Sequence, residues 1–467
     1  MSAAAIVTVV EAVAEYERKL DAPEGFELPD LGGEPLEPRV FTSIYHDTAD
    51  RSLAHAGITL RRRTERGLSL WQLKLPAGDA RLELEEVGGP AGAPKSIAQL
   101  LVAHLRHGPV APVAELRTRR HGALVARNGS TAEVTIDDVS VMDALRVVEE
   151  FVEVEVELKQ GKPKQLDAIA DELEHAGARP TDGTPKLFRV LRLPVDDHAP
   201  TGPLDALCMR LRAQLRTVLA NDPGTRLGRD PESLHDMRVA VRRSRALLRA
   251  GQPLYENDVS GLVEELRWVG EKLGAVRDLD VLLERLRAET EDLDPADRAA
   301  SRALLRTLER RRTSARTSLL KALGGDRYFA LLDRFGAEVD ALTPSGVDVT
   351  LDDLAKRELK KLRKDVRATG VEPADEELHA LRKRGKRVRY AYELAGKSAV
   401  VKRAKALQDV LGEHQDSVVA ETTLRDLSSA PDRAIVAGRL IERERARRAS
   451  ARNSWRKAWD RLARAAK

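Results

Sequence analysis

Two hydrophobic rhythms divide the chain. Between residues 10 and 160 apolar side chains recur every second position, as in Leu73/Leu75, Leu82/Leu84 and Val154/Val156/Leu158. Alternate side chains of a strand point to opposite faces. The opposite parity is charged rather than mixed polar: Glu15/Glu17/Lys19, Arg61/Arg63, Lys74, Arg81/Glu83/Glu85, Arg117/Arg119, Glu133/Asp137 and Glu153/Glu155/Glu157. The pattern predicts eight strands, near 11–20, 39–46, 57–65, 68–75, 81–86, 114–120, 131–137 and 150–159. Helices are expected near 96–107 and 164–176. Eight antiparallel strands can close on themselves around one small ligand. A closed face carrying both signs of charge suits a polyanion and its metal ions.

Beyond a Pro- and Asp-rich stretch at 193–203 the period becomes helical. Breakers at Asp222-Pro223-Gly224, Gly251-Gln252-Pro253, Gly324-Gly325 and Pro344-Ser345-Gly346 split this part into eight to ten helices. It is also duplicated. His235-x2-Arg238-x3-Arg242-x2-Arg245 recurs as His379-x2-Arg382-x3-Lys386-x2-Arg389, and Leu273-Gly274 through Asp278 corresponds to Leu411-Gly412 through Asp416. The predicted organisation is a domain at 1–195, a linker at 196–203 and a helical domain at 204–467, with repeats at about 204–343 and 350–467. At 100° per residue, His235, Arg238, Arg242, Arg245 and Arg249 share one stripe roughly 80° wide. Like charges on one helix face repel unless an anion compensates them.

Charge sharpens this division. The net +4 conceals residues 1–200, with 24 basic and 33 acidic side chains, and residues 201–467, with 55 and 42. An acidic part handling metal beside a basic part binding an anion fits that asymmetry. Aromatic residues make up 3% of the chain, which argues against single-stranded nucleic acid, whose binders stack bases on aromatic rings. The lone Cys208 excludes an internal disulfide and fits a reducing compartment. No apolar run reaches the ~20 residues that span a bilayer. A cytoplasmic protein is expected, with polyphosphate granules a place of association.

The order of Glu15-x-Glu17-x-Lys19, Leu60-Arg61-Arg62-Arg63, Leu73-Lys74-Leu75, Arg81-x-Glu83-x-Glu85 and Glu153-x-Glu155-x-Glu157 resembles the CYTH, or triphosphate tunnel metalloenzyme, family over about residues 11–190. The resemblance implies an α+β fold whose eight-stranded antiparallel tunnel precedes an all-α part. It implies triphosphate held by Lys19, Arg61, Arg63, Lys74, Arg81, Arg117, Arg119 and Lys186. It also implies Mg²⁺ or Mn²⁺ held by Glu15, Glu17, Asp137, Glu153, Glu155 and Glu157, with Glu15, Glu17, Lys19, Glu155 and Glu157 in catalysis. Lys186 stands in Thr184-Pro185-Lys186, where the family has a Ser-Lys pair. Physics points the same way. Charge-assisted hydrogen bonds of about 1.5–3 kcal/mol each must together offset phosphate desolvation, and hard divalent ions prefer oxygen ligands.

The duplicated motifs resemble the CHAD family, named for its conserved histidines in an α-helical domain, over about residues 204–467. That resemblance implies a basic groove for inorganic polyphosphate, lined by His235, Arg238, Arg242, Arg245, Arg249, His379, Arg382, Lys386 and Arg389. Arg277, Asp278 and Asp416 are read as ordering helix junctions. Hydrolysis of inorganic triphosphate beside a polyphosphate-binding module is the leading expectation. The alternatives are a polyphosphate binder with an idle tunnel, or a tunnel enzyme acting on thiamine triphosphate or cyclising ATP. The oligomeric state is left open by the sequence.

Overall fold

The computed structural model describes residues 12–78, 80–90, 92–181, 185–193, 199–291, 293–428 and 433–466. The apolar opening 1–10 and positions 196–198 of the expected linker lie outside them. The chain divides into two compact units: Met1–Asp197 with Leu219–Ser233, and His198–Val218 with Leu234–Lys467.

Among the described residues, the first unit is built on one antiparallel sheet of ten strands rather than eight. These are β1 (Ala12–Glu15), β2 (Glu17–Ala22), β3 (Glu34–Asp47), β4 (Thr59–Glu65), β5 (Leu68–Ala77), β6 (Ala80–Val87), β7 (Ala111–Arg127), β8 (Ser130–Asp143), β9 (Arg146–Gln160) and β10 (Arg179–Pro180). The extra strands are the short β10 and a division of the expected first strand at Tyr16. Their spatial order is β1-β6-β5-β4-β3-β7-β8-β9-β2-β10. β1 pairs with β6 while β2 pairs with β9. One stretch of chain, broken at Tyr16, therefore joins both flanks of the curled sheet.

Apolar side chains on the convex face are covered by short helices. Helix α3 (Gln165–His175) sets Leu166, Ile169 and Leu173 against Val134, Ile136, Val154 and Val156. Helices α1 (Ser52–His55) and α2 (Lys95–Leu100) cover Leu60, Trp71, Leu73 and Leu84. Asp47, fully buried, accepts hydrogen bonds from the N–H groups of Leu53 and Ala54 at 2.9 and 3.0 Å, which fixes the first turn of α1. Helix α4 (Lys186–Leu191) buries Leu187 among Tyr45, Leu116, Val139 and Phe151. That packing carries Lys186 to the concave side.

Nine helices form the remainder, among the described residues: α5 (Pro203–Leu227), α6 (Pro231–Gly251), α7 (Ser260–Glu291), α8 (Arg298–Leu323), α9 (Asp326–Asp340), α10 (Leu351–Ala368), α11 (Asp375–Leu394), α12 (Ser398–Leu427) and α13 (Ala434–Ala465). The basic stripes lie on α6 and α11, and the Leu-Gly motifs on α7 and α12. The two repeats share core: Leu282, Leu286, Leu304 and Leu308 pack with Leu424, Val436 and Leu440. Cys208 is buried, and burial pushes its thiol pKa up. Among the described residues, no helix is long and apolar enough to cross a membrane.

Candidate functional site

The concave face of the sheet encloses a cavity of about 610 Å³, lined by eight carboxylates and nine lysine or arginine side chains. Glu15, Glu17, Lys19, Arg61, Arg63, Lys74, Arg81, Glu155, Glu157 and Lys186 all line it. Buried Asp137 and Glu153 lie beneath it, bonded to Lys186.

Three cations and three carboxylates are knotted together at its floor. Lys186 Nζ lies 3.0 Å from Asp137, 2.6 Å from Glu153 and 2.7 Å from Glu155. Lys19 Nζ donates to Glu155 at 3.0 Å, and Arg120 reaches both Asp137 and Glu155 at 2.6 Å. Burial would lower the Lys19 and Lys186 pKa values, but the surrounding carboxylates outweigh it and raise both. Burial would likewise raise Asp137 and Glu155, and the facing cations reverse that. Glu153 is pushed up, chiefly by burial. Both lysines therefore stay protonated, and the knot balances its own charge.

Higher in the cavity the pairing loosens. Lys74 holds Glu15 at 2.5 Å and faces Glu83 at 3.7 Å, and Arg63, stacked 3.7 Å above the Phe41 ring, pairs with Glu65. Arg61 donates to Gln72 Oε1 at 2.7 Å and to the Tyr45 hydroxyl at 3.2 Å. Arg81 donates to the carbonyls of Gly57 and Lys74, while its buried Nε hydrogen-bonds to nothing. Among the described residues, no carboxylate lies within ion-pair distance of Arg61 or Arg81. These two guanidinium groups supply the uncommitted positive charge.

Strand register also lines up like charges. Glu17 on β2 sits directly opposite Glu157 on β9, which sits opposite Glu133 on β8. Facing carboxylates at this spacing repel. Burial first, and Glu15 further, push the Glu157 pKa up. Lys159 pairs with Glu157 at 2.6 Å and with Glu133 at 3.3 Å, but Lys19 approaches Glu17 no closer than 3.5 Å. One oxygen of Glu83 is buried without a hydrogen bond. Among the described residues, no three His, Cys, Asp or Glu side chains already converge as a metal cage.

Arg117 and Arg119 do not join this group. Both are exposed on the convex face, and the inward position belongs to Arg120, opposite Asp137. On β7 the alternation Leu116-x-Thr118-x-Arg120 runs inward, whereas a charged i, i+2 pair fits either face. Arg39 and Glu133, paired at 3.0 Å, also line the cavity. Glu133 is read from the sequence on the charged parity with Asp137, though not assigned to the site. Arg39 lies beyond a register shift between β3 and β7, which the sequence does not mark.

In the helical unit the two stripes face one another. Arg242 donates to the Tyr390 hydroxyl of α11 at 3.1 Å. Lys386 is held down to about 7 by burial and by Arg382, Arg242 and Arg238, with Asp416 opposing. Arg238 pairs with Asp278 at 2.9 Å, and Arg382 lies 4.0 Å from Asp416. Each arginine also lies over the glycine of its repeat: added Cβ atoms at Gly274 and Gly412 would sit 3.6 and 3.8 Å away. Asp278 therefore pairs with a stripe arginine, and Asp416 lies near its counterpart in the second repeat. Arg389 pairs with Glu393 at 3.1 Å. Arg245 and Arg382 each leave a buried Nε without a hydrogen bond. His379, lowered first by burial, accompanies the second stripe; His235 is half-buried and Arg249 exposed on the first.

Comparison with known proteins adds family context. A CYTH domain model matches residues 14–186 and a CHAD domain model residues 209–425. The chain is 34% identical over 453 residues to the uncharacterized protein Rv2226 of Mycobacterium tuberculosis, spanning 88% of each. Among solved structures, PptA from Streptomyces chartreusis shares 27% identity at a TM-score of 0.47, covering 56% of this chain and 100% of that one. The CHAD domain from Ricinus communis shares 26% at 0.47, covering 56% and 93%.

Proposed function

The chain belongs to the proteins that join a CYTH domain to a CHAD domain, and we propose that it hydrolyses inorganic triphosphate in the sheet cavity and binds inorganic polyphosphate on its helical unit. The observation that carries the hydrolase reading is the pair Arg61 and Arg81, uncommitted guanidinium groups in a cavity whose other charges largely cancel. Guanidinium donors match phosphate oxygens in geometry and charge. Lys19 and Lys186 add fixed positive charge but, being held protonated, do not act as bases. Asp137, Glu153 and Glu155 serve chiefly to hold Lys19, Arg120 and Lys186 in place.

A nearly neutral wall cannot by itself neutralise a substrate bearing several negative charges. The carboxylates that repel one another across β2, β8 and β9, with a Glu83 oxygen that accepts no hydrogen bond and meets Lys74 only at 3.7 Å, fit a hard divalent ion that uses few protein ligands plus phosphate oxygens. Glu15, Glu17 and Glu157 would hold Mg²⁺ or Mn²⁺, which supplies charge neutralisation and a more acidic water when bound. Arg61 and Arg81 then orient the terminal phosphoryl group. Water oxygen bonds to the terminal phosphorus, the bridging P–O bond breaks with its electron pair passing to the diphosphate oxygen, the water's proton is lost to solvent, and diphosphate and phosphate leave. The polyphosphate reading is supported by Arg238, Arg242, Arg382 and Lys386, four cations brought together from two repeats.

Phosphate release from inorganic, nucleoside and thiamine triphosphates, with and without Mg²⁺ or Mn²⁺, tests the hydrolase reading and its metal. Arg81→Ala and Glu17→Ala should each lower kcat/KM for inorganic triphosphate by roughly a hundredfold, as expected when a contact to a transferring group is removed. Unchanged rates would take the cavity out of the reaction, and tight binding without turnover would favour an idle tunnel. Arg238→Ala with Arg382→Ala should cut filter-bound long polyphosphate by roughly tenfold or more while sparing hydrolysis. Retained binding in that variant would refute the groove.

A further inference from the structure

Apart from the facing stripes, the helical unit holds a cavity of about 360 Å³ between α5, α6, the end of α11 and the start of α12. Gln214 lines it, with 7% of its surface exposed, and among the described residues its amide has no hydrogen-bond partner. An amide that opens into a cavity without a protein partner is free to pair with a polar group that enters it. Gly396, Lys397 and Ser398 bring the N-terminus of α12 to the same space, and this helix of 30 residues has no side-chain cap there. Uncapped N–H groups and the positive end of the helix dipole attract an anion.

The side chains around it agree in sign. Arg210 and Arg243 line the cavity, and the Arg243 Nε faces Glu393 without forming a hydrogen bond. Glu393, the acidic side chain of the lining, is offset by Arg243 at 3.2 Å and Arg389 at 3.1 Å. The rest of the wall is apolar, from buried Leu247 and Leu394 to half-buried Val401. An unbranched phosphate polymer has no use for an apolar wall.

We propose that this cavity binds a small organic phosphate monoester. Its phosphate lies at the α12 N-terminus against Arg210 and Arg243, its organic body packs on Leu247 and Leu394, and Gln214 pairs with a polar group on that body. The site is separate from the proposed polyphosphate groove and does not depend on it.

Calorimetric titration of the full chain with phenyl phosphate and with inorganic phosphate tests this. One phenyl phosphate should bind per chain, roughly fivefold or more tighter than inorganic phosphate, because a buried ring adds apolar contact. Gln214→Glu should weaken it about tenfold by placing like charge beside the phosphate. Val401→Trp, which fills the cavity from its rim, should abolish it and keep the expected loss measurable if the buried Gln214 variant fails to fold. Long polyphosphate affinity should stay within about twofold in both variants. Equal affinity for the two probes would overturn the proposal, as would full binding by Val401→Trp. Loss of phenyl phosphate in Arg81→Ala or Arg382→Ala would also overturn it, by moving the probe to another site.

Discussion

Around Lys386, burial and three guanidinium groups act in one direction, holding the amine down to about 7. In an unfolded chain it would keep its proton to about 10.4. Between those values the unfolded state binds more protons, so this residue makes stability rise with pH from about 7 to 10.4. Below pH 7 both states are charged and the repulsion from Arg382, Arg242 and Arg238 is fully expressed. A polyanion laid over the four cations restores the amine's preference for its proton, so binding above pH 7 takes up a proton. Affinity for long polyphosphate should therefore fall between pH 6.5 and 8.5 at fixed ionic strength, by at most about tenfold per pH unit for one linked proton. Lys386→Arg, charged throughout, should flatten the profile. An equally steep profile in that variant would place the titrating group elsewhere.

The strands illustrate what periodicity can and cannot decide. Apolar alternation located the body of each main strand because leucine and valine on one parity must reach a covered face, as they do beneath α1, α2 and α3. The charged parity of β2, β4, β5 and β9 was legible for the same reason. On β7 the contrast disappears: no helix covers Arg117 and Arg119, and the concave face carries Arg120, so both parities are polar. Register then decides, and it depends on irregularities such as the shift between Leu36 and Arg39. The knot joining Lys19, Arg120 and Lys186 was equally hidden, since its members come from strands and a helix far apart in sequence. Gly122, two residues beyond Arg120, shows how tightly β7 is held. A Cβ there would lie 2.1 Å from the Val134 carbonyl oxygen and 2.8 Å from the Thr135 Cα. Backbone must move to admit it. Gly122→Ala should cost about 1–3 kcal/mol, read from the urea midpoint. Gly89→Ala, with nothing within 4 Å, should change stability by less than about 0.5 kcal/mol. Equal midpoints for the two would mean that β7 and β8 can separate there without penalty.

At the scale of the whole chain, the compositional break near residue 200 is only one of the places where the compact units part. The helical period begins at Pro203, yet Leu219, Ala220 and Leu227 of α5 pack on the apolar cluster that includes Leu53, Ile97 and Leu101, within the first unit. His104, 1% exposed, is within 2.8 Å of Ser52 Oγ and 3.1 Å of the Leu219 carbonyl oxygen. Burial first of all holds its pKa down, so at neutral pH the imidazole can donate to Leu219 and accept from Ser52. Cutting the chain at residue 200 would strip this cover and open His104 to water, whereas cutting at 233 would retain it. The shorter fragment should melt several degrees lower, a shift corresponding to about 1–2 kcal/mol in a domain of this size. Its His104 should titrate closer to the ordinary value near 6.5 when followed by NMR, and that of the longer fragment below it. Indistinguishable melting and titration in the two fragments would mean that residues 219–233 contribute nothing to the first unit, and that the compositional break is the true boundary.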